Sequence, residues 1–267
     1  MFLAGVDFSC NPSRKKPITA ALGTLEGGVL RVAALEELAT LTGFDAWLAM
    51  PGPWLGAFDF PFGLPRAFVA ANRLGASCAE VITSVRMRCP SRMAWRAFID
   101  AWGNTQPAGQ RLLHRATDTD TDSEVRSTSP LQTRYVPVGL MYYEGVASLV
   151  RAGVTMPGLY AGDAARVALE GYPRRLAHAL IERRSYKNQD LPDRAAAREA
   201  IVSALERGAA GVAFALDASL RRSLIADPSG DRLDAVLCLV QAARASRRTN
   251  YGLPACVDPV EGWIVAS

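Results

Sequence analysis

Motifs that mark several common enzyme classes are absent from this chain of 267 residues. It has no GxxxxGK(S/T) or GxGxxG loop, which argues against the phosphate-binding turns of P-loop and Rossmann proteins. It has no GxSxG or HExxH motif, which argues against a serine hydrolase or a zinc peptidase. The two histidines, His114 and His178, have no partner at metal-ligand spacing. We therefore expect neither to be catalytic.

Paired cysteines and long apolar runs are missing as well. The five cysteines form no CxxC pair and their number is odd, which is typical of reduced thiols. No apolar run approaches the roughly 18 residues that a membrane span needs. Asp7 interrupts the apolar N-terminus before a signal-peptide core can form. These features predict a cytoplasmic protein that is not inserted in a membrane.

The composition indicates a globular protein with a sizeable core. Hydrophobic residues make up 49% of the chain and charged residues 21%, with a formal net charge of +4. This mildly basic balance is compatible with an anionic partner, although a solvated surface with a slight excess of arginine explains it equally well. No pattern in the sequence indicates an oligomeric state.

Apolar segments and turn residues predict a mixed α/β sheet. The first three strands are expected to be antiparallel, because Gly27 and Gly28 form a hairpin signal between two of them. The predicted strands cover residues 2–9, 18–25, 29–36, 55–61 and 165–172. The predicted helices cover residues 66–103, 138–152, 173–183, 194–208 and 231–246, with a short one that Thr42 caps. Residues 66–155 are interpreted as a helical insertion, with a polar loop at 104–135, in one domain spanning 1–267.

Acidic residues occur where apolar segments end. Asp7 follows FLAGV and Asp59 follows LGAF, so each looks like the end of a buried strand. A buried strand carries a charge only if that charge is paired or binds a metal. Glu170 ends the apolar segment VAL, and Asp234 lies with Asp231 on one face of an apolar helix. We expect these carboxylates to gather at one edge of the sheet.

Carboxylates from several elements are typical of two-metal phosphoryl transfer, in which two cations lie roughly 3.5–4 Å apart. Carboxylate oxygens favour hard cations such as Mg²⁺ and Mn²⁺. The predicted metal ligands for two such ions are Asp7, Asp59, Asp231 and Asp234, and the predicted catalytic residues are Asp7, Asp59, Glu170 and Asp234.

Structural explanations of the same acids stay open. Asp7 could begin a turn, and Glu170 could cap the following helix or pair with Arg174. Asp231 could simply complement the macrodipole of its helix.

Basic residues flank the helix predicted after Glu170. Arg174 and Arg175 lie in its first turn and Lys187 follows its end, so these three are predicted to bind substrate phosphate. The alternative is that cations near the helix end, such as Arg183 and Arg184, only cap it.

The segment DTDTD imitates the start of a calcium loop, with Asp118, Asp120 and Asp122 at alternate positions. Its sixth residue is Ser123 instead of Gly, and its twelfth is Ser129 instead of Glu. We therefore interpret it as a solvated loop.

Short motifs in a defined order resemble one protein family. They are GVDFS, FDFPFGLP, LEGYP, SYK at Ser185–Lys187, DRLDAVLCLVQA and EGWI at Glu261–Ile264. Their order is similar to that in the domain of unknown function family 429, the predicted RNase H-like nucleases, and it spans most of the chain.

This resemblance implies a ribonuclease H-like fold, with a five-stranded mixed sheet and helices on both faces. It assigns the acid of the first strand to Asp7, the acid near the fourth strand to Asp59, and the acid of the closing helix to Asp234, with Asp231 as its candidate partner. Glu170 matches the family's E-x-x-P-like element.

Together these features predict a nuclease that depends on Mg²⁺ or Mn²⁺ and hydrolyses phosphodiesters, with nucleic acid as its partner. The alternative is a non-catalytic protein that binds a nucleic acid or another anionic ligand on the same fold. An ATPase of the actin-like type ranks last, because FSCNPSRKK after the first strand lacks a glycine-rich phosphate loop.

Overall fold

A mixed sheet of seven strands organises the computed structural model, which describes residues 1–119 and 126–265. The strand order across the sheet is β5-β6-β4-β1-β2-β3-β7. β2 runs antiparallel to β1 and β3, and the other neighbours are parallel. The strands are β1 (Phe2–Asp7), β2 (Ile18–Glu26), β3 (Val29–Leu38), β4 (Trp54–Asp59), β5 (Val154–Thr155), β6 (Asp163–Glu170) and β7 (Ala213–Ala215). The predicted mixed α/β sheet is confirmed.

The expected number of five strands is wrong. β5 and β7 add one strand to each edge of the sheet. They are two and three residues long, which is too short for an alternating pattern to show in the sequence. The five predicted strands correspond to β1, β2, β3, β4 and β6.

Nine α-helices complete the described part of the chain. They are α1 (Leu41–Leu48), α2 (Arg66–Ala71), α3 (Cys78–Arg88), α4 (Arg92–Asn104), α5 (Val138–Arg151), α6 (Pro173–Ile181), α7 (Pro192–Glu206), α8 (Ala218–Ala226) and α9 (Asp231–Ala245). The long helix predicted from residue 66 is three helices, because Ser77 and Ser91 each cap a new one. The N-cap of α1 is Thr40 instead of Thr42. Every helix described here is too short or too polar to cross a bilayer.

Helices α2–α5 lie between β4 and β5, in the segment predicted to be a helical insertion. Within the predicted polar loop, residues 120–125 lie outside the described residues, and so do the predictions for Asp120 and Asp122. The expectation of a solvated loop for DTDTD is wrong at Asp118, which is buried together with Arg115, whereas residues 107–112 of the polar loop are exposed. The ion pair between Arg115 and Asp118 offsets the cost of removing their charges from water.

Two hydrophobic cores lie on opposite faces of the sheet. Leu3 and Leu55 belong to the core that α6, α7 and α9 cover. Ala4 and Phe58 lie on the same two strands, one and three residues after Leu3 and Leu55, and belong to the core that α1–α5 cover. Successive strand residues point to opposite faces, so alternation along each strand decides which helical layer a side chain meets.

Gly5 allows α9 to approach β1 very closely. A Cβ atom at this position would lie 2.0 Å from the backbone nitrogen of Leu239 and 2.2 Å from the carbonyl oxygen of Ala235. Only glycine fits such a backbone contact. The first turns of α9 therefore pack directly against the sheet, next to the end of β1.

Candidate metal centre

Asp7 and Asp59 are neighbours across the sheet. They are the last residues of the parallel strands β1 and β4 and are paired directly in register. Alternation puts both on the α9 face, because Leu3 and Leu55 of the same strands face that helix layer. The two carboxylates are therefore held side by side on one face by backbone pairing.

Asp234 completes the cluster from the first turns of α9. Its side chain is fully buried, and its backbone N–H donates to the carbonyl oxygen of Gly230, the residue that begins the helix. Asp7, Asp59 and Asp234 each place one carboxylate oxygen so that the three oxygens lie within 4.8 Å of one another. Three acids from distant parts of the chain thus share one small volume.

This crowding changes the acidity of the carboxyl groups. Burial, followed by the charges of Asp234 and Asp231, raises the pKa of Asp7 well above its usual range. Burial and the charge of Asp234 raise the pKa of Asp59 to about 7. Like charges at this distance disfavour ionisation unless a cation compensates them.

Tyr186 and Lys187 contact the same acid. The hydroxyl of Tyr186 donates to Oδ1 of Asp234 at 2.5 Å, and the ammonium of Lys187 donates to its Oδ2. Burial lowers the pKa of Lys187, but the charges of Asp234, Asp7 and Asp59 raise it by more, so the lysine is charged. Lys187 was predicted to bind phosphate, and the role of Tyr186 was not predicted at all, although the motif SYK contains both.

Asp231 lies at the edge of this cluster. It is half-buried in the first turn of α9, and its charge contributes to the raised pKa of Asp7 and of Asp59. Its oxygens are not among the three that converge. The structure therefore brings three of the four predicted metal ligands together and leaves the fourth nearby.

Glu170 is not brought together with the three aspartates. In β6 it pairs with Phe58, the residue before Asp59, so it points to the opposite face of the sheet. The next residue, Gly171, is the one that faces α9, where a Cβ atom would lie 3.2 Å from Sγ of Cys238. A difference of one position along the strand thus keeps the oxygens of Glu170 out of the convergent set, although its charge still raises the pKa of Asp59 and both residues line the same cavity.

Glu170 belongs instead to a buried ion pair with Arg115. Arg115 donates to both carboxylate oxygens of Glu170, at 2.6 and 2.8 Å, and to Asp118 at 2.8 Å. Glu170 also accepts from the backbone N–H of Phe62. Burial raises the pKa of Glu170, and Arg115 only partly offsets the increase.

Arg115 also ties the C-terminal segment to this cluster, because it donates to the carbonyl oxygen of Glu261 at 3.0 Å. Nothing in the polar sequence around Arg115 distinguishes it from a solvated arginine. Sequence reasoning therefore missed it.

Two cavities meet beside the aspartates. The smaller, of about 270 Å³, is lined by Asp59, and the larger, of about 650 Å³, follows α6. Arg174, Lys187 and Asn188 line both cavities. Arg175 is among the described residues and lines neither of these two. Two of the three predicted phosphate-binding residues thus border the site.

The donor set decides what the centre can bind. Carboxylate oxygens are the ligands that Mg²⁺ and Mn²⁺ prefer, whereas zinc and copper sites usually contain nitrogen or sulfur ligands. The aspartate cluster fits such hard cations, and their charge would offset the repulsion that raises the pKa values of Asp7 and Asp59.

Comparison with known proteins identifies the family of the chain. No curated protein and no solved structure is similar enough to be matched. One family model matches residues 5–258, a range that includes Asp7, Asp59 and Asp234. The chain therefore belongs to the family described as "Protein of unknown function (DUF429)".

Proposed function

We propose that the protein is a nuclease that hydrolyses phosphodiester bonds with Mg²⁺ or Mn²⁺. The observation that carries this proposal is the convergence of Asp7, Asp59 and Asp234, whose carboxylate oxygens lie within 4.8 Å of one another. Carboxylates arranged in this way are typical of sites that hold two divalent ions for phosphoryl transfer.

The arrangement of the sheet supports an RNase H-like domain. The central strands follow the order β3-β2-β1-β4-β6. The first three strands of the chain form an antiparallel meander, because β2 runs antiparallel to both β1 and β3. The last long helix, α9, packs on these central strands. This agrees with the fold that the family resemblance implies, with β5 and β7 as additions at the edges. Acids at the ends of β1 and β4 and on α9 then correspond to the metal-binding acids of that fold.

Each residue of the site has a proposed role. Asp7, Asp59 and Asp234 hold the metal ions, and Asp231, at the edge of the cluster, is the candidate additional ligand of a second one. Divalent ions bound there would activate water and stabilise the leaving oxygen. Tyr186 orients Asp234 through its 2.5 Å hydrogen bond. Glu170 is omitted from the metal ligands, because Arg115 already occupies both of its oxygens.

The test is cleavage of labelled single-stranded, duplex, hybrid and branched nucleic acids with Mn²⁺ or Mg²⁺. The wild-type protein is compared with Asp7→Asn and Asp234→Asn, and with Asp190→Asn as a matched control, since Asp190 is an exposed acid outside the site. We expect the two site variants to lose at least 100-fold in rate and the control to retain full activity.

EDTA should abolish the activity and added Mn²⁺ should restore it. Cleavage that persists in Asp7→Asn, or that survives EDTA, would contradict the assignment. Cleavage of none of the substrates would exclude a nuclease of these classes.

A second candidate is a binding protein without catalysis. It is favoured by one observation, the hydrogen bond from Lys187 to Asp234, because an ammonium group can neutralise part of the acidic cluster without a metal. In that case nucleic-acid binding would depend on salt, no turnover would occur, and Asp7→Asn would leave the affinity unchanged.

A further inference from the structure

The larger cavity beside the aspartates is strongly cationic. We call it the α6 groove, and its volume is about 650 Å³. Its charged and titratable lining residues are Arg126, Arg174, His178, Glu182, Arg183, Arg184 and Lys187. Five cations thus face one acid, and Lys187 connects the groove to the carboxylates.

The arginines at the two ends of the groove are available to a ligand. Arg174 and Arg183 are exposed, and among the described residues no carboxylate lies within 4.0 Å of either guanidinium group. Arg184 differs from them, because its Nε donates to the carbonyl oxygen of Ile181 and so caps α6. Helix capping therefore explains Arg184 but not the other two.

The spacing of these arginines favours a ligand with several phosphates. Arg174 lies in the first turn of α6 and Arg183 lies two residues beyond its last residue, Ile181, so the helical part between them spans about 10 Å. One phosphate cannot contact both ends. A nucleic-acid strand carries one charge per roughly 3.4 Å of duplex axis and can therefore reach both.

The lining also indicates how such a strand would be recognised. Tyr186 is buried and its hydroxyl is engaged by Asp234, so its ring is not exposed for stacking on bases, and the imidazole of His178 is half-buried. Arginine contacts to phosphate carry no base sequence information.

We propose that the α6 groove binds the phosphate backbone of one strand of a nucleic acid next to the bond that is cleaved, independently of base sequence. The inference rests on the proposed nuclease function for the position of that bond. The groove itself is tested by binding alone.

The experiment measures fluorescence anisotropy of a labelled twelve-nucleotide thymidine strand at several salt concentrations, with wild-type protein in EDTA. The variants are Arg174→Ala, Arg183→Ala and the double variant. The matched control is Arg207→Ala with Arg222→Ala, which removes two exposed arginines that line neither cavity.

We expect the double groove variant to bind at least tenfold more weakly. Because each phosphate contact on a single strand contributes about 0.7 to the slope of log K against log salt, the slope should fall by about 1.4. The control should bind within twofold of wild type, and a twelve-nucleotide adenosine strand should bind as well as thymidine.

Equal losses in the groove and control variants, or unchanged binding in both, would overturn the proposal. Competition by thymidine monophosphate at the same affinity as the twelve-nucleotide strand would also overturn the proposal, because it would exclude a ligand with several phosphates. If binding follows these expectations but no nucleic acid is cleaved, the proposed nuclease function is rejected and the binding role of the groove stands. If the protein cleaves nucleic acid and neither Arg174→Ala nor Arg183→Ala affects cleavage, the nuclease function stands and the binding role of the groove is rejected.

Discussion

The ammonium group of Lys187 donates a hydrogen bond to Oδ2 of Asp234. The lysine side chain is 33% exposed, whereas that of Asp234 is completely buried. Gly230, the residue just before α9, has a φ of 79° and packs closely against this lysine. A Cβ atom at Gly230 would lie 2.6 Å from Cβ of Lys187, so the absence of a side chain leaves room for the lysine. Lys187 thus supplies one positive charge at the point where the carboxylates converge.

Lys187 should compete with a metal ion for Asp234. We expect Lys187→Met to bind Mn²⁺ about tenfold more tightly than wild type, or about 1.4 kcal/mol, because a cation no longer has to displace the ammonium group. Isothermal titration calorimetry measures this directly. Lys15→Met, which removes an exposed lysine, is the matched control and should leave the affinity unchanged. Weaker Mn²⁺ binding in Lys187→Met would show that the lysine assists the metal instead.

Stability of the metal-free protein should depend on pH through Asp59. Its pKa is raised from 3.8 to about 7, so between these values the folded state binds more protons than the unfolded state. This contribution is full below the unfolded pKa and is lost as pH rises through 7. We expect the free energy of unfolding in EDTA to fall from pH 5.5 to 8 by about 2 kcal/mol through Asp59, and further through Asp7, whose pKa is raised as well.

Urea denaturation at several pH values checks this dependence. Asp59→Asn cannot ionise and should lose the share of the decrease that Asp59 contributes, while Asp7 keeps its own share. Mn²⁺ should stabilise the wild-type protein most at high pH. A wild-type stability in EDTA that stays flat or rises over this range is incompatible with the raised pKa.

Arg115 should be far more important for stability than a surface arginine. Arg115→Met leaves Glu170 and Asp118 buried without their partner, which costs about 3–5 kcal/mol. Arg66→Met breaks a pair with Asp258 in which the arginine is 52% exposed, and should cost below about 1 kcal/mol. Equilibrium unfolding in urea compares the two, and similar losses would contradict the buried role.

Glu170 should matter for folding and not for metal binding. We expect Glu170→Gln to lower the melting temperature while its Mn²⁺ affinity, measured on folded protein, stays within twofold of wild type. Asp7→Asn should lose at least tenfold in affinity under the same conditions. A comparable loss in Glu170→Gln would return Glu170 to the metal ligands.

Gly5 should tolerate no side chain. Gly5→Ala forces α9 away from β1, because its Cβ atom would lie 2.0 Å from a backbone nitrogen, and we expect a loss of about 3 kcal/mol or more. Gly103→Ala in α4 is the control, since the nearest atom to its Cβ would be Cβ of Arg111 at 3.7 Å, an ordinary contact distance. It should be neutral or stabilising by up to about 1 kcal/mol. The denaturation midpoints of both variants decide the comparison.

Much of the site could be predicted because strand alternation is visible in the sequence. Asp7 and Asp59 each follow an apolar run, and parallel pairing in register is the simplest way to bring such strands together. The apolar stripe of α9 likewise predicted that Asp234 would dock near them.

Other features carry no local signal. The pairing of Glu170 with Phe58 depends on register, and a shift of one residue would have placed Glu170 among the aspartates. Arg115 is buried only because Asp118, Glu170 and Glu261 reach it from three segments. The edge strands β5 and β7 are too short to leave a pattern.

The close contact between Gly5 and α9 has a consequence for folding kinetics. β1 and α9 are the first and last long elements of the core, so this contact closes nearly the whole chain and is expected to form late. The repulsion between Asp7 and Asp234 is then absent from the early steps and acts chiefly after the transition state. Contacts that form after the transition state control the unfolding rate. A cation bound at the aspartates should therefore extend the lifetime of the native state while leaving the refolding rate almost unchanged.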